Sequence, residues 1–139
     1  MTKRSESREW AVQLLFQREI NREDLKDSLE LFWQDKNPTQ KAKDFTEQLV
    51  RGVEEHRKEI DALLHKCATN WDVGRMGGVD RNAMRVAVYE MIHCPDIPPV
   101  VSINEAVDIA KNMSSNESGR FVNGVLDAVL QKLDKKPAK

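Results

Sequence analysis

Lys111, the polar run Ser114-Ser115-Asn116, Arg120 and Phe121 lie close together in the chain and combine cations, hydroxyls and an aromatic ring. A helix opening at this cluster presents unpaired N–H donors and a partial positive charge, which suit a phosphate. Phe121, at the edge of an apolar stripe, has two readings. It stacks an unpaired base, as proteins that hold single-stranded RNA do, or it is the first core residue of the helix.

No comparable set of groups converges for catalysis. The chain lacks the Walker-type phosphate loop, the nucleophile elbow G-x-S-x-G and the zinc motif H-E-x-x-H. Gly77-Gly78 before Val79-Asp80-Arg81 has neither a preceding strand nor a lysine placed for phosphates. Asp80 and Glu105 are accounted for by helix capping, and Arg85 and Glu90 are expected to pair with other elements. The pairs His65/Cys67 and His93/Cys94 do not share a helix face, so neither makes a metal site. The expectation is a protein without enzymatic activity, metal or cofactor.

Length and composition agree with a binding protein. The chain has 139 residues, 40% hydrophobic and 32% charged, with a net charge of −1. That is enough for one core and too little for two large domains. Two cysteines make no disulfide framework, and there is neither a long apolar segment nor a signal-like N-terminus. The expected location is the cytoplasm. With so little net charge, nucleic-acid binding must come from local patches. The ends are locally basic, with Lys3, Arg4 and Arg8 in front and Lys132, Lys135, Lys136 and Lys139 behind, although frayed, solvated termini account for such charges equally well.

The elements that position these residues are helices. Six or seven can be placed, with no convincing strand: about 5–20, 23–35, a long stretch to about 68 that bends or breaks near 52–57, one from Asp80, one from about 102 and a last one after 114. The first is apolar over more than half its circumference, so it is central in a bundle or keeps an apolar patch for a partner. Three glycines among residues 70–79 mark an irregular connection, and Pro95, Pro98 and Pro99 stiffen a linker. Asp80 is expected to cap its helix, and Ser102–Glu105 and Ser114–Glu117 carry the capping-box signature. Asn123-Gly124, a turn dipeptide, interrupts the apolar stripe Phe121, Val122, Val125, Leu126, Val129 of the last helix.

Five segments in order resemble the NusB family of bacterial transcription antitermination factors: REWAVQLLF (8–16), VDRNAMRVAVYE (79–90), DIP (96–98), INEAVDIAK (103–111) and FVNGVLD (121–127). The resemblance implies an all-α domain over 1–139, with one helical subdomain to about residue 70, a second over about 71–134 and a tail at 135–139. It also implies a short interhelical distance at Gly124, with Asn123 satisfying buried groups; a local kink at Gly124 is the alternative.

Functionally, the resemblance implies no enzymatic activity. It implies pairing with NusE, a protein of the small ribosomal subunit, binding of single-stranded boxA RNA, and a part in an RNA polymerase antitermination complex. The RNA-facing residues it implies are Lys3, Arg4, Arg8, Phe16, Lys111, Met113, Glu117, Ser118, Arg120 and Phe121. The NusE-facing ones are Arg75, Met76, Val79, Asp80, Met84 and Tyr89. Ser5, Glu6 and Ser7 interrupt what is typically an arginine-rich N-terminal run, and Gly74 and Gly78 stand where larger residues are common. Two other readings remain: a NusB-like accessory domain of an RNA methyltransferase, against which the end of the chain at Lys139 argues, and a protein-interaction bundle that does not touch RNA.

Overall fold

The computed structural model describes residues 3–68 and 76–134 of the chain. These form seven helices and no strand: α1 Lys3–Ile20, α2 Leu25–Trp33, α3 Gln40–Glu55, α4 Arg57–Cys67, α5 Gly78–His93, α6 Pro99–Met113 and α7 Asn116–Asp134. The all-α expectation is met.

The caps correct several boundaries. Thr39 caps α3 by accepting from Ala42 N–H, whereas Asp80 lies inside the first turn of α5, whose N-cap is Gly77. Pro98 and Pro99 open α6 rather than extend a linker, because proline's fixed φ and missing N–H suit a first helical turn. Ser102 is therefore a buried residue within α6 and not its cap. At α7 the capping hydroxyl belongs to Ser115, which accepts from Ser118 N–H at 3.0 Å, one residue later than the S-x-x-E pattern suggests. The break in the long helical stretch falls on His56 alone, with φ −108° and ψ 20°.

The hub of the bundle is α5. Nine consecutive residues, Asn82 to Glu90, are buried, because α1, α3, α4, α6 and α7 all pack against this one helix. Ala11, Val12, Leu14 and Leu15 of α1 are buried in the same apolar core as Leu49, Val53, Leu64, Met84, Ile109 and Leu126. Such wrapping explains why α5 has no polar face and why its polar residues must find partners inside. Asn82 donates to Gly78 O, Arg85 donates to Asp61, Glu19 and Asn82, and Glu90 accepts from Arg8 and Ser102.

Close helix contact occurs at glycines other than Gly124. A Cβ on Gly52 would overlap the Tyr89 ring, so the α3–α5 approach requires glycine there. A Cβ on Gly124 would meet nothing within 4 Å, and Asn123 and Gly124 are both exposed. Helix α7 nevertheless runs unbroken from Asn116 to Asp134. Neither close packing nor a kink accounts for the Asn-Gly pair. It lies on the solvent face, and burial of Val122, Val125, Leu126 and Val129 on the opposite face outweighs a propensity cost of about 1 kcal/mol.

Candidate nucleic-acid interface

The strongest cluster forms where α6 ends and α7 begins. Lys111, in the last turn of α6, lays its aliphatic stem against Gly119, where a Cβ would overlap its Cγ. This contact draws the two helices together and leaves Lys111 and Arg120 exposed beside each other on a shallow depression of about 320 Å³, lined also by Val107, Asn116, Gly119 and Asn123. Neither cation is in an ion pair among the described residues. Ser114, Ser115 and Ser118 share hydroxyl hydrogen bonds around the start of α7, and Glu117 is exposed in its first turn. Phe121 and Met113 are half-buried and pack against the core, so Phe121 is part of the core edge rather than a free ring.

Phe16 joins this surface from α1. Its ring covers Gly78, where any Cβ would overlap it, and it remains 38% exposed, the one large aromatic left open on α1. Two residues further along α5, the Asp80 carboxyl faces Ser118. Burial pushes the Asp80 carboxyl above the usual aspartate range, the nearby Ser118 hydroxyl opposing it, and Oδ1 is buried with no partner among the described residues. Phe16, Asp80, Ser118, Lys111 and Arg120 thus occupy one end of the bundle, held by four helices, α1, α5, α6 and α7.

The N-terminal cations lie elsewhere. Arg4 is twelve residues before Phe16, about 18 Å along α1, and its guanidinium sits 4.6 Å from the Phe45 ring centroid. It is exposed. Arg8 is not: it is buried in a bidentate pair with Glu90, at 2.7 and 3.1 Å, with Glu105 at 3.5 Å. Expecting Arg8 at an RNA surface is corrected by this burial, since the pair satisfies a charge that Glu90, fully enclosed, could not otherwise carry. The side chain of Lys3 falls outside the described residues.

The expected partner surface changes most. Met84 is fully buried, Met76 and Tyr89 nearly so, and Val79 packs against the core. They are not an accessible apolar patch, because α5 is enclosed on all sides. Arg75 and Gly74 fall outside the described residues, and Asp80 is only partly accessible.

One charged cluster has no signal in the sequence. Glu19 of α1 accepts from Arg81 at 2.6 Å and from Arg85 at 2.7 Å, and Arg85 also donates to Asp61 of α4. Burial raises the Glu19 carboxyl, yet the two arginines outweigh it and hold it below the ordinary value of 4.5. With Arg18, Arg22, Glu54 and Arg57, the side chains of Glu19, Arg81 and Arg85 line a cleft of about 630 Å³. Glu19 is more than sixty residues from Arg81 and Arg85 in the chain, so no local pattern could pair them.

Known proteins share this fold. NusB from Thermotoga maritima superposes with a TM-score of 0.85 at 37% identity, over 95% of this chain and 92% of that one. A crystal structure of antitermination factors NusB and NusE in complex with dsRNA contains a chain that superposes with a TM-score of 0.86 at 28% identity, covering 95% and 98%. The transcription antitermination protein NusB of Myxococcus xanthus is 42% identical over 97% of this chain and 99% of its own length, and that of Syntrophus aciditrophicus 40% over 98% and 84%. Among the described residues no helix is long and apolar enough to cross a membrane. The NusB family profile matches residues 5–131, from the first helix into the last, and on that match and those identities the chain belongs to the NusB family.

Proposed function

We propose that this protein is an RNA-binding transcription antitermination factor that acts by binding rather than catalysis, pairs with the ribosomal protein NusE, and takes single-stranded boxA-type RNA across the end of the bundle formed by α1, α6 and α7. The observation that carries this reading is the pair of cations Lys111 and Arg120 beside the start of α7, in no ion pair among the described residues, with the exposed ring of Phe16 on the same end. Cations on the backbone and a ring beneath a base are what an unpaired strand requires. Arg4 would take the strand further along α1, and Glu6, exposed close to it, would weaken that extension.

NusE is assigned to the neighbouring surface at Val79 and Asp80. Asp80 meets Ser118 there, so protein and RNA surfaces would adjoin, and NusE could complete the site for the strand. The crystal structure of NusB and NusE in complex with dsRNA, to which this chain is similar, supports a joint protein and RNA surface.

The test is fluorescence anisotropy with a labelled boxA-like single strand, its duplex and a scrambled strand, each with and without NusE. Binding of the boxA strand that is tightened by NusE and exceeds binding of the duplex supports the reading. Equal affinity for all three RNAs, or no effect of NusE, overturns it. Asp80→Lys is expected to weaken NusE binding with helix content unchanged, and equal NusE affinity of the two proteins removes the partner assignment.

A further inference from the structure

Two histidines and a glutamate that neither binding surface uses meet at the other end of α5. His56 is the single residue between α3 and α4, Glu59 follows in the first turn of α4, and His93 is the last residue of α5. His93 stands thirteen residues after Asp80, about 20 Å along the helix. Its ring stacks on His56 with centroids 4.0 Å apart and on Tyr89 at 5.3 Å. Tyr89 is seated over Gly52, so the stack rests on a fixed base.

Both imidazoles address the same carboxylate oxygen. His93 Nε2 lies 3.3 Å from Glu59 Oε1 and His56 Nδ1 3.7 Å from it, and one ligand atom from each of the three residues falls within 4.8 Å of the others. In a tetrahedral zinc site with bonds of about 2.0–2.1 Å, neighbouring donor atoms are about 3.3–3.4 Å apart. The outward nitrogen of His56, Nε2, faces Glu55 Oε1 at 3.6 Å. Such an outer carboxylate is what usually orients a metal-bound imidazole and raises its basicity. All three side chains are partly open to solvent, so an ion can enter and the rings can turn their lone pairs inward.

We propose that His56, Glu59 and His93 form a binding site for a divalent transition-metal ion, zinc, that clamps the α3–α4 turn to the end of α5, with water at the fourth position. Two nitrogens and one carboxylate oxygen favour zinc over magnesium or calcium, which require oxygen donors. The ion ties together residues from separate helices, so it stabilises the bundle without touching the RNA-binding end.

The test is isothermal titration of tag-free full-length protein with zinc chloride, followed by thermal unfolding with zinc and with magnesium. One ion per chain is expected, and zinc at tenfold its dissociation constant should raise the unfolding midpoint by about 4 °C. His93→Ala and Glu59→Gln should each weaken binding about tenfold or more. His65→Ala, beside Cys67 on the surface of α4, should leave it unchanged. Glu59→Gln alters only an exposed helix-surface group and keeps the test valid if His93→Ala loses helix content. No binding means a ring stack and hydrogen bond only, and overturns the site. So does binding that survives Glu59→Gln or depends on His65.

Discussion

The Arg8 guanidinium and the Glu90 carboxylate form a bidentate ion pair inside the bundle, with Arg8 4% exposed and Glu90 not exposed at all. Ser102 adds a hydrogen bond to Glu90 at 2.6 Å, so one carboxylate ties α1, α5 and α6 together. Removing one partner of a buried pair leaves the other charge without compensation. Arg8→Ala should therefore lower the free energy of unfolding by about 3–5 kcal/mol, read from urea titration at pH 7. An RNA contact alone would predict near-parental stability with weaker RNA binding.

Gly124 and Gly52 should respond to alanine in opposite directions. Gly124 is exposed within a helix and nothing stands near its Cβ position, so Gly124→Ala should stabilise by about 0.5–1 kcal/mol. Gly52→Ala drives a methyl group into the Tyr89 ring and should destabilise by about 1–3 kcal/mol. Thermal midpoints of the two variants against the parent decide both signs.

Glu19 should make stability depend on pH. Its carboxyl is held below 4.5 in the folded protein by Arg81 and Arg85, which outweigh its burial. A depressed folded value contributes stability that is complete above 4.5 and is lost as pH falls through the folded value. Glu19→Gln should therefore unfold at lower urea than the parent at pH 7, and the gap should close as the pH drops below 4.5. A gap that is constant with pH means the carboxylate charge contributes nothing.

The RNA surface should be visible in salt dependence. Each phosphate neutralised on a single strand contributes a slope of about −0.7 in log K against log salt. Arg120→Glu should weaken binding of the boxA-like strand and flatten its slope by about that amount, whereas Glu6→Arg should tighten binding and steepen it. Circular dichroism should match the parent for both variants, since each position is exposed. Unchanged slopes would mean that the strand lies elsewhere.

The sequence by itself determined the helices, because apolar periodicity and chain-breaking residues are local properties. The stripe of α7 and the break near His56 both follow from neighbours within a few residues. It also carried family membership, through motifs that are local as well. Lys111 and Arg120 were legible for the same reason, being nine residues apart across one turn. Only the tertiary structure decided which residues face inward. Arg8 looks like a surface cation until Glu90, 82 residues away, meets it. Met84 and Tyr89 look available for a partner until α5 proves to be enclosed by five helices. Ser102 looks like a cap until Pro99 starts the helix three residues earlier and turns its hydroxyl to Glu90. His56 and His93, in separate segments, share one carboxylate only after packing. Burial and charge pairing depend on residues distant in the chain, and no local pattern encodes which of them will meet.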